Sequence, residues 1–159
     1  MPDTPALDAP RREPADPRFE ARVRASFARQ RFMSMMGATM TRVEAGEVDI
    51  DLPFDVELTQ QHGFVHGGAV ASVLDAACGY AASTLMAADA GVLTVEFKIN
   101  FLAPAAGERF RFTGRVRRAG RTVTFVDGEA IAVADGRART VATMQATMMT
   151  VQGRDDVRH

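Results

Sequence analysis

Residues 60–80 read QQHGFVHGGAVASVLDAACGY, and they decide the fold because a loop rich in glycine and histidine runs directly into a long apolar pattern. From Gly67 onward, small and apolar residues occur on nearly every side of the predicted helix. This is typical of a helix that is buried on most of its surface. One carboxylate, Asp75, interrupts it. A charge there is costly unless it is paired, hydrated or titrates, so we expect the chemistry of the protein to centre on Asp75.

The composition of the chain limits its number of domains, its partners and its cellular location. The 159 residues are 47% apolar, which suffices for one ordinary core, and no shift in composition marks a second domain. The net charge of -1 gives no general reason to expect nucleic acid or a membrane as partner. The single cysteine, Cys78, excludes an intrachain disulfide, and no stretch resembles a signal peptide or a membrane span. We therefore expect a cytoplasmic protein.

The N-terminal region predicts a tail followed by a helix. Residues 1–16 contain four prolines and little that could be buried, which predicts a disordered tail. Asp16 and Pro17 are typical of an N-cap and a first helical residue, and apolar positions 19, 23 and 27 predict an amphipathic helix that ends near Gly37. The predicted domain spans residues 17–152, and residues 153–159 form a polar C-terminal tail.

The remaining patterns predict strands. Residues 38–44 and 47–53 are short β-prone runs around Ala45 and Gly46, which predicts a hairpin. After the central helix, alternation predicts four strands, over residues 94–101, 109–117, 122–134 and 137–151, the last pair joined at Asp135-Gly136. The expected fold class is α+β: a single domain with a long central helix wrapped by a mostly antiparallel sheet of about six strands, and an extra N-terminal helix.

With this order of elements, HGFVHGG at residues 62–68 and Asp75 in the following helix resemble the hotdog-fold acyl-CoA thioesterases of the PaaI-like, 4-hydroxybenzoyl-CoA thioesterase-type group. LTVEFKINFLAPA at residues 93–105 and RRAGRT at residues 117–122 are similar to that family as well, so the resemblance covers nearly the whole chain outside the tail. It implies a hotdog domain that needs no metal or redox cofactor and assembles as a homodimer or homotetramer with active sites shared between subunits. The family often carries Asn where this chain has Gln60.

Two positions are the strongest catalytic candidates. Gly67 lies at the predicted helix N-terminus, where backbone N–H groups lack intrahelical partners and can bind an oxyanion; Gly68 beside it allows a substrate to approach. The alternative is that both glycines only permit a tight entry into the helix. Asp75 is the candidate general base for an attacking water, or the nucleophile on a thioester carbonyl. Its alternative role is a structural carboxylate that holds an arginine or a backbone donor.

Polar residues near these two positions are further candidates. His66 could orient the substrate carbonyl or fix the loop, and His62 reads as a loop residue that can contact substrate. Gln60 and Gln61 are amides able to hold a water, although one of them could serve only to cap the loop. No third metal-binding side chain falls at ligand spacing before the helix, so no metal site is expected.

Thr94 begins the strand after the helix. By the family pattern it can hydrogen-bond near the water or Asp75, and otherwise it is an ordinary β-branched strand residue. Cys78 is interpreted as a packing residue, because no His–Asp pair is placed to activate its thiol.

Six arginines fall within residues 109–121. Such a cluster is usually a solvated face, but guanidinium groups also bind the phosphates of coenzyme A, and Arg118 and Arg121 are the candidates for that contact. Nucleic acid is disfavoured because the aromatic residues of this strand alternate onto the opposite face and cannot stack bases beside the arginines.

The sequence therefore predicts an acyl-CoA thioesterase. The alternatives are an enoyl-CoA hydratase or dehydratase of the same fold and a non-catalytic acyl-CoA-binding module. Numerous methionines favour an adaptable apolar pocket for a medium-to-long or aryl-acyl chain. Because Gly67 and Asp75 are separated by eight residues, or about 12 Å along a helix, one carbonyl cannot reach both in the same chain. This predicts a two-fold dimer in which each subunit supplies one of the two groups.

Overall fold

A computed structural model describes residues 13–157 of the chain. The helices are α1 (Phe19–Ala28), α2 (Arg31–Met35) and α3 (Gly67–Ser83), with a short 3-10 turn at Val56–Leu58. The strands are β1 (Thr39–Glu44), β2 (Glu47–Pro53), β3 (Gly91–Phe101), β4 (Arg109–Ala119), β5 (Val123–Ala134) and β6 (Arg137–Val151). The predicted hairpin, central helix and four following strands are all confirmed. Within the described part of the chain, no helix has both the length and the apolar character needed to cross a membrane.

The strands form one six-stranded sheet in the order β1-β2-β4-β5-β6-β3, and all neighbouring pairs run antiparallel. Tight turns join β1 to β2, β4 to β5 and β5 to β6, whereas α3 carries the chain from the β2 side across the sheet to its far edge. Helix α3 packs on β2 and on all four later strands, and its apolar face supplies much of the buried core. This is the predicted α+β hotdog arrangement, with a long helix enclosed by an antiparallel sheet.

The middle of α3 approaches the sheet through two glycines that are direct partners on neighbouring strands, Gly114 on β4 and Gly128 on β5. A Cβ atom at Gly114 would lie 2.4 Å from the carbonyl oxygen of Ala77, and one at Gly128 would lie 2.9 Å from the sulfur of Cys78. The two layers can therefore meet at this distance only because neither strand carries a side chain there. We call Gly114 and Gly128 the glycine pair.

The prediction of one N-terminal helix beginning at residue 17 and ending near Gly37 is wrong. Helix α1 begins at Phe19, and the chain breaks at Arg29 and Gln30 before the short α2. Asp16 is not the N-cap either, because Arg18 occupies that position and its N–H donates to the Asp16 carboxylate at 2.9 Å.

Asp16 is held instead by Arg22, whose Nε lies 2.9 Å from its carboxylate. The same guanidinium donates to the carbonyl oxygens of Ser83 and Met86, each at 3.1 Å, where α3 ends. These contacts attach α1 to the C-terminal end of the central helix. Residues 1–12 of the predicted tail lie outside the described residues, while Asp16, its last residue, is buried.

The two edges of the sheet differ in character. Edge strand β1 presents threonine, arginine and glutamate side chains, which discourage further pairing. Edge strand β3 leaves large apolar side chains exposed, with Val95 58%, Phe97 44% and Phe101 54% accessible. The predicted strand is therefore confirmed, but residues 13–157 leave these apolar side chains uncovered.

Candidate functional site

Asp75 lies in the middle of α3 and is bound by a hydroxyl group. Thr94 Oγ1 donates to Asp75 Oδ1 at 2.8 Å. A β-bulge between Thr94 and Glu96 shifts the register of β3 against β6 at this point. The structure thus brings together the two residues that the sequence placed on separate elements.

Burial dominates the electrostatic environment of Asp75. Burial raises the pKa of Asp75 above its ordinary value, and the hydrogen bond from Thr94 opposes that shift in part. Among residues 13–157, no arginine or lysine forms an ion pair with it. The alternative in which Asp75 holds an arginine therefore finds no such partner in the described chain.

A small cavity of about 130 Å³ adjoins this carboxylate. Its walls come from α3, from the start of β3 and from the junction of α1 and α2; they are formed by Gln30, Asp75, Ala76, Gly79, Tyr80, Val92 and Thr94. Because Asp75 opens into it, a water or an acyl group in this cavity would contact the carboxylate directly.

The N-terminus of α3 is capped by the side chain of His66. His66 Nδ1 accepts a hydrogen bond from the Gly68 N–H at 2.8 Å, so the neutral ring carries its proton on Nε2. No acceptor for the Gly67 N–H lies within residues 13–157. Of the two predicted glycines, Gly67 is therefore the one with a donor available to a ligand, and His66 fixes the helix entry.

An open cleft of about 540 Å³ lies beside Gly67. It is mostly apolar, with walls that include Gln60, Phe64, Phe101, Leu102 and Pro104. The Phe101 ring covers Gly67 closely, since a Cβ atom at Gly67 would lie 3.1 Å from Phe101 Cζ. A methyl group at this position would require the Phe101 ring to move by a few tenths of an ångström.

The loop before α3 is held by its own polar groups. The Gln60 side-chain carbonyl accepts from the His62 N–H, and the Gln60 N–H donates to the Phe64 carbonyl at 2.9 Å. Gln61 Nε2 lies 3.4 Å from His62 Nε2, and both of these side chains are exposed. Gln60 therefore caps the loop with its oxygen and lines the cleft, while Gln61 and His62 face solvent.

Three arginines of β4 form ion pairs, and two arginines at or just after its end are exposed. Arg111, Arg115 and Arg117 pair with Asp51, Glu47 and Asp127, respectively. Arg118 and Arg121 are exposed and follow Val116 at the end of the strand. This end lies near the C-terminus of α3, because Val116 N–H donates to the Gly46 carbonyl and Gly46 N–H donates to Thr84 Oγ1. Within one chain, the structure does not bring these two arginines to Gly67.

Cys78 is completely buried one turn after Leu74, and burial raises the pKa of its thiol far above the usual range. A thiol in this state forms almost no thiolate at neutral pH. This agrees with the prediction that Cys78 contributes to packing.

Comparison with known proteins places these features in a family. Residues 62–139 match the family model of the thioesterase superfamily. The solved structure of a thioesterase family protein from Silicibacter pomeroyi is 52% identical over 85% of this chain and 99% of its own, with a TM-score of 0.84. The chain belongs to the thioesterase superfamily. This membership confirms the resemblance stated above and the prediction of a thioester hydrolase.

Two other comparisons agree with this thioesterase membership. A protein of Saccharolobus solfataricus with the name "Putative esterase" is 39% identical over 55% of this chain, and the match spans 61% of that relative's length. The PaaI protein from the phenylacetic acid degradation operon of E. coli is 21% identical, with 86% of this chain and 95% of that chain covered and a TM-score of 0.74. At this identity the second comparison shows a shared fold.

Sequence reasoning missed two residues of the site in this thioesterase. The position of Gln30 at a helix break was not predicted, because the helical pattern of apolar residues continues across it. Neither glycine nor proline marks the break between α1 and α2. Phe101 was identified as a strand residue, but its contact with Gly67 depends on how β3 lies beside the helix entry. No local signal in the sequence indicates this contact, because residues 67 and 101 lie on separate elements.

Proposed function

We propose that this thioesterase hydrolyses an acyl-CoA to a free acid and coenzyme A, with Asp75 as general base or nucleophile. The observation that carries the proposal is the partly buried Asp75 carboxylate, which is bound by Thr94, has a raised pKa and opens into a cavity. A general base works best when its pKa is moved toward the working pH, and burial moves this one in that direction.

As a general base, Asp75 takes a proton from a water whose oxygen attacks the thioester carbonyl. The carbonyl becomes an oxyanion, the carbon–sulfur bond then breaks, and the leaving thiolate of coenzyme A takes up the proton that Asp75 accepted. As a nucleophile, Asp75 instead forms a mixed anhydride that water hydrolyses afterwards. In both cases Thr94 orients the carboxylate, and a backbone N–H stabilises the oxyanion.

The Gly67 N–H is the donor we assign to the oxyanion, with His66 holding the helix entry and Gly68 leaving room for the substrate. Gly67 and Asp75 are eight residues apart on one helix, a rise of about 12 Å. The oxyanion donor at an Asp75 site would therefore be Gly67 of the partner subunit.

The exposed apolar side chains of β3 support assembly as a homodimer. Pairing of two β3 edges would cover Val95, Phe97 and Phe101 and complete the sheet hydrogen bonding of both chains. Such a dimer creates two equivalent sites, and two dimers could form a tetramer. The same assembly could bring Arg118 and Arg121 of one subunit toward the phosphates of coenzyme A bound at the other.

The apolar cleft beside Gly67 suits a medium-to-long or aryl-acyl thioester, and its Gln60 amide nitrogen remains available to a water or substrate carbonyl. Gln61 and His62 lie on the same loop and are placed to contact the substrate at the cleft entrance.

The first test measures thiol release from a panel of acyl-CoA thioesters. Asp75→Asn should lower kcat by about 10²–10⁴-fold while the protein keeps its fold, because that is the usual contribution of a general base. Asp89→Asn is the matched control, since Asp89 is exposed. An Asp75→Asn enzyme that retains more than about a tenth of the wild-type rate would contradict the assignment.

The second test separates the two subunits' roles by complementation. Gly67→Pro removes the proposed donor, and proline is favoured at the first helical residue. The backbone of His66, at φ -60° and ψ 137°, already suits a residue before proline. Gly67→Ala keeps the N–H and controls for contact with Phe101.

Inactive Asp75→Asn and Gly67→Pro chains, mixed in equal amounts and allowed to exchange subunits, should recover about a quarter of wild-type activity. Half of the dimers are then mixed, and each mixed dimer has one intact site. A fully active monomer, or no recovery after demonstrated exchange, would refute the shared site.

A further inference from the structure

Gly79 is a glycine that the packing of this chain does not require. It lies inside α3, one turn after Asp75, and lines the same cavity. Glycine destabilises a helix interior relative to alanine. At the glycine pair a methyl group would collide with α3, whereas a methyl group at Gly79 would meet no atom of another element within 4 Å. Glycine at this position therefore keeps space open beside the carboxylate.

Gln30 lines the same cavity from the junction of α1 and α2. Its backbone is fully used, since its N–H donates to the Phe27 carbonyl at 2.9 Å and its carbonyl accepts from the Ser34 N–H at 3.2 Å. Its side chain does not cap α2 and forms no hydrogen bond with any residue of the described range 13–157. The amide is thus available to whatever occupies the cavity.

We propose that this cavity receives the acyl group of the substrate and that Gly79 and Gln30 set its size. The inference rests on the proposed hydrolysis of acyl-CoA. The volume of the cavity, about 130 Å³, is comparable with that of an apolar cavity that holds one benzene molecule, about 150 Å³. Of the acyl groups proposed above, this volume favours an aryl-acyl group with a single ring over a medium-to-long chain, and it also leaves room for a short acyl chain.

Gly79→Ala tests the inference from the helix side. A difference of one methylene between a substrate and its pocket changes kcat/KM by about 10–200-fold. The added methyl group should therefore lower kcat/KM for phenylacetyl-CoA at least tenfold. Acetyl-CoA, which needs less room, should be hydrolysed within about threefold of the wild-type rate. The thermal midpoint should rise by about 1–4 °C, because alanine favours the helix. This combination of a more stable protein and a narrower substrate range is not expected from a purely structural glycine.

Gln30→Ala tests the inference from the opposite element. It retains the backbone hydrogen bonds of Gln30 and removes bulk, so the ratio of kcat/KM for larger over smaller acyl groups should increase, the reverse of Gly79→Ala. Gln145→Ala on the exposed outer side of β6 is the matched control and should leave the ratio unchanged.

Three results would overturn the assignment: equal loss for all acyl groups in Gly79→Ala, an unchanged acyl preference in both variants, or dissociation of the Gly79→Ala assembly. Failure of the proposed function looks different, because the wild-type protein would then release no thiol from any acyl-CoA.

Discussion

Gly114→Ala should destabilise the protein through a single backbone collision. In the structure, a Cβ atom at Gly114 would lie 2.4 Å from the Ala77 carbonyl oxygen and 2.8 Å from the Cys78 nitrogen. To reach an ordinary contact of about 3.4 Å, α3 and β4 must separate by about 1 Å at the point where they are closest. Alanine in a strand is otherwise more stabilising than glycine. Any loss in the free energy of unfolding therefore measures the collision with α3.

The expected loss is about 3 kcal/mol in the free energy of unfolding, at the upper end of the usual range for an overpacked core. For a chain of this size that corresponds to a fall of about 6–12 °C in the thermal midpoint. Urea unfolding and thermal unfolding measure it directly. Because Asp75 lies two residues before Ala77 on α3, displacement of the helix should also weaken the contact with Thr94 and lower kcat.

Gly128→Ala is the matched control because it adds the same methyl group to the partner strand. There the nearest atoms belong to the side chains of Cys78 and Leu74, at 2.9 and 3.0 Å, which can move more easily than backbone. Its loss should be smaller, about 1–2 kcal/mol, and a second change, Cys78→Ala, should recover part of it. Wild-type stability in Gly114→Ala, or a greater loss in Gly128→Ala, would refute this reasoning.

Two further variants test the site and its support. Thr94→Val removes the hydrogen bond that lowers the pKa of Asp75, so this pKa should rise further. Because the ionised carboxylate is the proposed active form, the acid limb of the kcat/KM profile should move to higher pH. An unchanged profile would exclude Asp75 as the titrating group. Thr84→Val leaves the buried N–H of Gly46 without its 2.7 Å acceptor and should reduce the free energy of unfolding by about 1–3 kcal/mol in urea titrations, whereas Thr84→Ser should retain most of the stability.

Much of the fold can be predicted from the sequence because its periodicities are local. The period of two in β3 to β6 and the turn at Asp135-Gly136 define strands without any tertiary information. The break at Gln30 could not be predicted in this way. The local pattern of apolar residues continues through it, and neither glycine nor proline marks it.

The candidate site could be predicted only in part. Asp75 stood out because a charge is rare in a buried helix, and Gly67 because helix entries offer free N–H groups. Thr94, which contacts Asp75, lies directly before a β-bulge, and no residue type in LTVEF specifies a bulge. That the apolar side chains of β3 remain exposed is likewise invisible in the sequence, because alternation specifies faces but not neighbours.

The cavity beside Asp75 joins two parts of the chain that differ in how freely they can change. Asp75 and Gly79 belong to the central helix, which packs on β2 and on the four later strands. Gln30 belongs to a peripheral segment that is attached to the core at few points. If the cavity binds the acyl group as proposed, mutations near Gln30 can alter what it accepts while leaving the Asp75 carboxylate in place. Descendants of this chain could diverge in substrate preference through their N-terminal segment and preserve the same chemistry.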